Sequence, residues 1–165
     1  MVGSIIPWNA PLLLLALKAA PALLTGNAMV LKPAEEAPLG ALRLVQLINQ
    51  FLPKGLFNVV QGDGPNTGSP LVSHPDVNKI TFTGSVETGK IIYKTAADKL
   101  IPLTAEMGGK SPMIILPDCD INRAVDGAVM GMRFTRQGQS CTASSRIFVH
   151  EKIHDGNKKL FSFNI

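Results

Sequence analysis

Cysteine is scarce in this chain, with two in 165 residues, and so are aromatics, at 5%. Cys119 and Cys141 are too few for a disulfide framework and sit in no CxxC pair. That points to a reducing compartment and away from a zinc site, so no metal is expected. The few aromatics leave the core to Leu, Ile, Val and Ala. Arginine clusters are missing too: the net charge of +4 comes from scattered residues, with Lys158–Lys159 the only basic doublet. Scattered charge without aromatic interleaving speaks against a nucleic-acid partner. Nor is there a long hydrophobic run. The nearest, PLLLLALKAAPALL at 11–24, is interrupted by Lys18 and lacks a basic segment in front of it. It is too short to span a bilayer and reads as a buried helix, not a secretory signal. No membrane partner and a cytoplasmic location are therefore expected.

What is present is a regular alternation. β-rich runs at 2–6, 28–32, 57–61, 78–84, 100–106, 112–116 and 145–150 take turns with helical periodicity at 11–24, 39–52, 85–97 and 121–134. The stretch 62–75 is broken by glycine and proline and is expected to be irregular. The alternation predicts an α/β fold, a doubly wound, mostly parallel sheet of Rossmann-like type. GGKSP at 108–112 changes the chain's character and suggests a hinge between a first domain, 1–107, and the incomplete beginning of a second α/β domain, 108–165. EKIHDGNKKLFSFNI starts as a helix, is broken at Gly156 and Asn157, and then has no period. The architecture is expected to stop short of completion.

Several motifs lie at the carboxyl ends of these strands. GSVETGK, 84–90, matches GxxxxGK, yet Ile91 stands where a P-loop needs a hydroxyl for Mg²⁺, which excludes nucleoside-triphosphate hydrolysis. What survives is a helix opening at Gly84 and Ser85, where free N–H groups and the helix dipole attract a pyrophosphate. GDGPNTG, 62–68, has the wrong glycine spacing for a dinucleotide fingerprint and suits a turn at least as well. In LKPAEE, 31–36, a lysine and an acid three residues apart suit either a solvated loop or the two hydroxyls of an adenosine ribose. In the second case Glu35 accepts from the 2′-hydroxyl and repels a 2′-phosphate, favouring NAD over NADP. Asn9, two residues before Pro11, is either a helix-start residue or an oxyanion donor. Glu106, beside Gly108–Gly109, is either a solvated turn residue or a general base.

Cys141 lies in RQGQSCTASSR, among small polar residues that leave room for another molecule. A buried structural thiol prefers apolar neighbours, as a small hydrophobe does. A nucleophilic thiol needs a lowered pKa from a helix terminus, a cation or a base. His74, His150 and His154 sit in no recognisable partner motif, so a Cys–His hydrolase is unsupported, and Cys119 in PDCD reads as a loop or packing cysteine.

Taken together and in order, IIPWNAP, GNAMVLKPAE, FTGSVETGK, EMGGKSP and GQSCTASSR resemble the NAD(P)-dependent aldehyde dehydrogenase superfamily, over about residues 2–154. The resemblance implies that an aldehyde is oxidised to a carboxylic acid with NAD as acceptor. It implies Cys141 as the nucleophile, passing through a thiohemiacetal and a thioester, and Asn9 with the Cys141 N–H as the oxyanion hole. Glu106 would be the base that activates water. Lys32 and Glu35 match the adenosine-ribose contacts, Trp8 and Ser85 the pyrophosphate contacts, and Gly84 and Gly89 the same phosphate-side turn. Family members begin before the PWN segment and continue past the cysteine through an EIFGP-type motif and an oligomerisation strand, neither of which is in this sequence. They are homo-oligomers. This chain is therefore expected to be the cofactor domain plus the start of the catalytic domain, with weak or absent activity in isolation. A silent nucleotide-binding fragment and a thiol-dependent esterase or acyl-transfer enzyme are the alternatives.

Overall fold

The structure, a computed structural model, describes residues 1–155; the expected break at Gly156 and Asn157 lies outside the described residues. The chain divides into two compact units, Met1–Met107 and Gly108–Ile165.

The first unit is a five-stranded, wholly parallel sheet. Its strands are β1 (Val2–Ile5), β2 (Met29–Lys32), β3 (Phe57–Val59), β4 (Lys79–Gly84) and β5 (Leu103–Met107), in the order β3-β2-β1-β4-β5. The helices are α1 (Pro11–Leu24), α2 (Leu39–Ile48), the short α3 (Ser69–Ser73) and α4 (Val86–Asp98). Parallel neighbours need crossovers, and these place helices on both faces of the sheet. One core joins Leu15 and Ala19 of α1 and Ala41 and Val45 of α2 to Met29, Leu31 and Phe57. The other joins Leu71 and Val72 of α3 and Ile92 and Ala96 of α4 to Ile80 and Phe82. Fully burying one such side chain is worth roughly 1.5–3 kcal/mol. The α/β, doubly wound expectation is met, and the helix at 11–24 falls where the sequence places it.

Two expectations change. The 62–75 stretch is not irregular: Asp63 accepts from the Asn66 N–H at 2.6 Å and opens a π-helical turn, Gly64–Gly68, that runs directly into α3. Pro65 and Pro70 sit early in their turns, where a missing N–H costs no helix bond. And α2 stops at Ile48, with Asn49 turning its side-chain amide to the Phe57 carbonyl at 2.8 Å, so Leu52 of the expected periodic run falls beyond the helix.

The second unit holds a two-stranded parallel sheet, β6 (Pro112–Ile115) beside β7 (Arg146–Val149), joined through α5 (Ile121–Gly131) and a 3₁₀ turn, Phe134–Arg136, and followed by α6 (Glu151–His154). Asp120 caps α5 by accepting from the Arg123 N–H at 3.0 Å. A Cβ on Gly131 would lie 2.7 Å from the Met113 methyl and 3.1 Å from Ser144 Oγ, so glycine lets α5 approach both β6 and the loop before β7.

Lys99, just past α4, donates to the carbonyls of Val72 (3.2 Å) and Val77 (3.0 Å) and also to that of His74, pinning the α3–β4 connection to the end of α4. Hydrogen bonds from a charged donor contribute about 1.5–3 kcal/mol. Lys99→Met is expected to lower unfolding stability by about 2 kcal/mol in a urea titration; an unchanged midpoint would show that the ammonium is dispensable.

Candidate functional site

The strand order turns back between β1 and β4: from β1 the chain winds one way to β2 and β3, and from β4 the other way to β5. At such a switch point the connections leave in opposite directions and open a crevice at the carboxyl ends of the strands. A cavity of about 590 Å³ lies there. One part of its wall is Pro7 and Trp8 after β1, another is Thr83, Gly84 and Ser85 at the end of β4, and a third is Lys32 and Glu36 after β2. Gly64, Pro65 and Gly68 of the π-helical turn complete that end.

Each wall has a local cause. Ser85 is the N-cap of α4: its hydroxyl accepts from the Thr88 N–H at 3.1 Å and donates to Thr88 Oγ1 at 3.0 Å. The helix thus opens onto the cavity with the unpaired N–H groups that every helix start carries. Gly84 has no room for a side chain, since a Cβ would lie 2.6 Å from the Phe82 ring. The Lys32 stem runs alongside Gly68, 3.5 Å from where a Cβ there would be, an ordinary contact distance. Lys32 is 4% exposed, and its ammonium donates to the Pro33 carbonyl at 3.0 Å, one of three possible donations. The Thr83 hydroxyl is buried with no hydrogen-bond partner among the described residues. Buried polar groups are normally satisfied, so an unpaired hydroxyl on a cavity wall fits a place for a ligand.

Of the expected cofactor residues, the cavity brings together Trp8, Lys32, Gly84 and Ser85. Glu35 is exposed and lies off the wall, where its neighbour Glu36 stands instead. Gly89 is buried in α4, where a Cβ would lie 2.4 Å from Met107 Sδ, so glycine admits the close approach of α4 to β5.

The catalytic candidates are placed as follows. Asn9 lies in the bend between β1 and α1. It is not the helix cap, because Ala10 holds that position and makes no side-chain cap bond. Glu106 is exposed on β5, in register with Thr83. Cys141, in the second unit, is an exposed free thiol, whereas Cys119 is half-buried. Its loop is tied by Ser144 N–H to the Gly131 carbonyl (3.0 Å) and by Ser140 Oγ to Thr142 Oγ1 (3.0 Å). Arg133 and Gln137, on either side of the 3₁₀ turn before it, hold the left-handed conformation at φ 58° and 57°. Non-glycine residues rarely adopt it, and such strain gathers at functional loops. No three His, Cys, Asp or Glu side chains among the described residues gather as metal ligands.

One charged group was overlooked in the motifs. Lys18 is 7% exposed and donates to Thr81 Oγ1 at 2.9 Å, while Leu13 and Leu17 of the same helix face outward. Thr81, Thr83 and Glu106 share one face of the sheet by register, so Lys18 puts an ammonium under a polar strip that leads to Glu106. Burial pushes its pKa down from 10.5 to about 8, with the Glu106 carboxylate partly opposing. The readable signal was a lone lysine three residues from Leu15 and next to Ala19, on the inward stripe of an otherwise uncharged helix.

In open α/β sheets of this doubly wound kind, the crevice at the switch point is where ligands commonly bind. The comparisons give the family. The sequence profile of the aldehyde dehydrogenase family matches residues 1–162, and the chain belongs to that family. Phenylacetaldehyde dehydrogenase of Pseudomonas fluorescens is 51% identical over 156 residues, 94% of this chain and 31% of that protein. Retinaldehyde dehydrogenase 3 of Mus musculus is 51% identical over 154 residues, 92% of this chain and 30% of its own length. The NAD⁺ complex of aldehyde dehydrogenase from Bacillus cereus superposes with a TM-score of 0.92 at 44% identity, over 97% of this chain and 33% of that one. The chain thus spans about a third of the relatives it matches. Among the described residues no helix is long and apolar enough to cross a membrane.

Lys18 yields a prediction about pH. Between about pH 8 and 10.5 the unfolded chain keeps a proton that folded Lys18 has lost, so stability rises with pH across that window. Lys18→Met keeps the apolar stem and removes the titration. Wild type is expected to gain about 1–2 kcal/mol relative to the variant over that rise, less than the full shift because the ammonium keeps some contact with water. Parallel stability–pH curves for the two proteins would show that the ammonium is not buried in solution.

Proposed function

We propose that this chain carries the cofactor-binding part and the nucleophile of an enzyme that oxidises an aldehyde to a carboxylic acid with NAD. The observation that carries the cofactor reading is the cavity at the β1–β4 switch point, with a helix N-terminus on one wall and the buried Lys32 ammonium on another. Those features suit a pyrophosphate and an adenosine ribose respectively. Trp8 and Ser85 are assigned to the phosphates and Lys32 to the ribose; all three line the cavity, and the unpaired Thr83 hydroxyl is on its wall at the end of β4. When bound, NAD supplies a hydride acceptor.

The remaining chemistry rests on protein groups. The Cys141 thiolate adds to the aldehyde carbon, forming a C–S bond and moving the carbonyl electron pair onto oxygen. The Asn9 side-chain amide and the Cys141 backbone N–H are assigned to that oxyanion, where fixed donors stabilise charge as it develops. Loss of hydride from the same carbon leaves a thioester. Glu106 takes a proton from water, whose oxygen attacks the thioester; the C–S bond breaks, the acid leaves and the thiolate is regenerated. The aldehyde names among the relatives differ, from phenylacetaldehyde to retinaldehyde, and we assign none to this chain. We place the protein in the cytoplasm, as the name of one relative, aldehyde dehydrogenase, cytosolic 1, suggests.

The test uses an alkylating thiol probe followed by intact mass and peptide mapping of the chain, with and without NAD. One fast label at Cys141, its rate changed by NAD, is the expected result, with weak or absent aldehyde oxidation by the isolated chain. Equal slow labelling of Cys119 and Cys141 that ignores NAD would remove the case for an assembled cofactor site and nucleophile. Ester hydrolysis without NAD, lost in Cys141→Ala, would favour an acyl-transfer enzyme instead.

A further inference from the structure

The two thiols of the chain have opposite charges beside them. Cys119 lies between Asp118 and Asp120. Around Cys141 the balance is reversed: residues 127–150 hold three arginines, Arg133, Arg136 and Arg146, and no Asp or Glu. Arg146 is engaged elsewhere, its Nε donating to the Lys110 carbonyl at 2.8 Å and its guanidinium lying over the Phe148 ring at 5.7 Å. Arg133 and Arg136 are exposed, and among the described residues neither guanidinium has a hydrogen bond, an ion pair or a ring contact. An arginine just past a helix commonly bonds its last carbonyls. At the end of α5 the Ala128, Met130 and Gly131 carbonyls instead accept from the backbone N–H groups of Met132, Arg133 and Ser144.

Backbone bonds keep both arginines near the thiol. The Gly138 N–H donates to the Arg133 carbonyl at 3.1 Å, and the Gln139 N–H to the Arg136 carbonyl at 2.9 Å. The second bond closes a turn whose end residues lie within about 7 Å of each other. The two residues from Gln139 on to Cys141 add about 7 Å at most. A long arginine side chain spans much of that distance, which brings its charge within a Debye length of the thiol, about 8–10 Å. Two positive groups with no acid to offset them favour an anion there, and a guanidinium fork matches a carboxylate. We propose that Arg133 and Arg136 select aldehydes bearing a carboxylate a few carbons from the reacting carbonyl, drawing in the carboxylate while Cys141 adds to the aldehyde carbon. The proposal rests on the nucleophile reading above and names its substrate class.

Protection of Cys141 from iodoacetamide tests it on the full chain, read by intact mass and peptide mapping, with succinic semialdehyde and butanal as competitors. Both aldehydes add reversibly to the thiolate, their carbonyl oxygen taking up a proton, but only the first carries a charge. At low salt, succinic semialdehyde is expected to half-protect wild type at a concentration about fivefold below that of butanal, a size in keeping with two charges acting through water. The ratio should fall toward one in about 1 M salt, where the Debye length is about 3 Å, and in the double variant Arg133→Gln/Arg136→Gln. If butanal protects wild type at an equal or lower concentration, or the double variant keeps the wild-type ratio, the proposal is overturned while the nucleophile reading stands. If neither aldehyde protects Cys141, the nucleophile reading falls and the proposal with it.

Discussion

Between β1 and β4 two parallel strands lie side by side although the chain leaves them in opposite directions. Everything at the cavity depends on that adjacency. Hydrogen-bonded register fixes Ile5 beside Phe82, so the loop carrying Trp8 and Asn9 and the turn carrying Gly84 and Ser85 emerge at the same edge. Right-handed crossovers then leave the crevice between them uncovered. A slip of one residue would turn Thr81 and Thr83 to the face of Ile80 and Phe82 and expose an apolar core. The buried hydrophobic pattern therefore sets where the polar groups at the strand ends lie.

The two faces of that sheet are not equivalent. Around β2 and β3, Met29, Leu31 and Phe57 bury against α1 and α2. Toward β5 the same face becomes polar, with Thr81 and Thr83 on β4 and Glu106 on β5. Lys18 reaches that strip from α1 and closes a hydrogen bond to Thr81. A buried ammonium is costly unless something holds it, and a single hydroxyl does not offset full desolvation. Its pKa, pushed down to about 8 by burial with the Glu106 carboxylate partly opposing, is the consequence. A methionine would pack the same space without that property.

Much of this was legible in the sequence, for identifiable reasons. The strands announce themselves because both their faces are buried, which makes AMVLK and NKITFTG stand out from the helices between them. Pro11 marked the start of α1, and the motifs after β1, β2 and β4 marked the cavity side. Three features were not legible. The π-helical turn at Gly64–Gly68 hangs on an Asp63–Asn66 hydrogen bond, and residue types alone read only as a turn. The inward orientation of Lys18 was hidden because leucines surround it in sequence, yet Leu12, Leu13 and Leu17 lie on the outer stripe. Which of two neighbouring glutamates lines the cavity depends on a turn geometry that spacing does not encode.

The second unit shows how a thiol can be exposed without being loosely held. Ala143, two residues after Cys141, is buried, and the Ser144 N–H bonds back to the Gly131 carbonyl where glycine admits close approach. On the other side the Gly138 N–H bonds to the Arg133 carbonyl, across a turn whose two flanking residues accept left-handed backbone. Each of those residues costs about 1 kcal/mol or more relative to an ordinary conformation. Strain of that kind persists only where the surrounding bonds over-determine the loop. Here those bonds flank Cys141, the Gly138 N–H to the Arg133 carbonyl on one side and the Ser144 N–H to the Gly131 carbonyl on the other, so the thiol sits on backbone anchored at both ends.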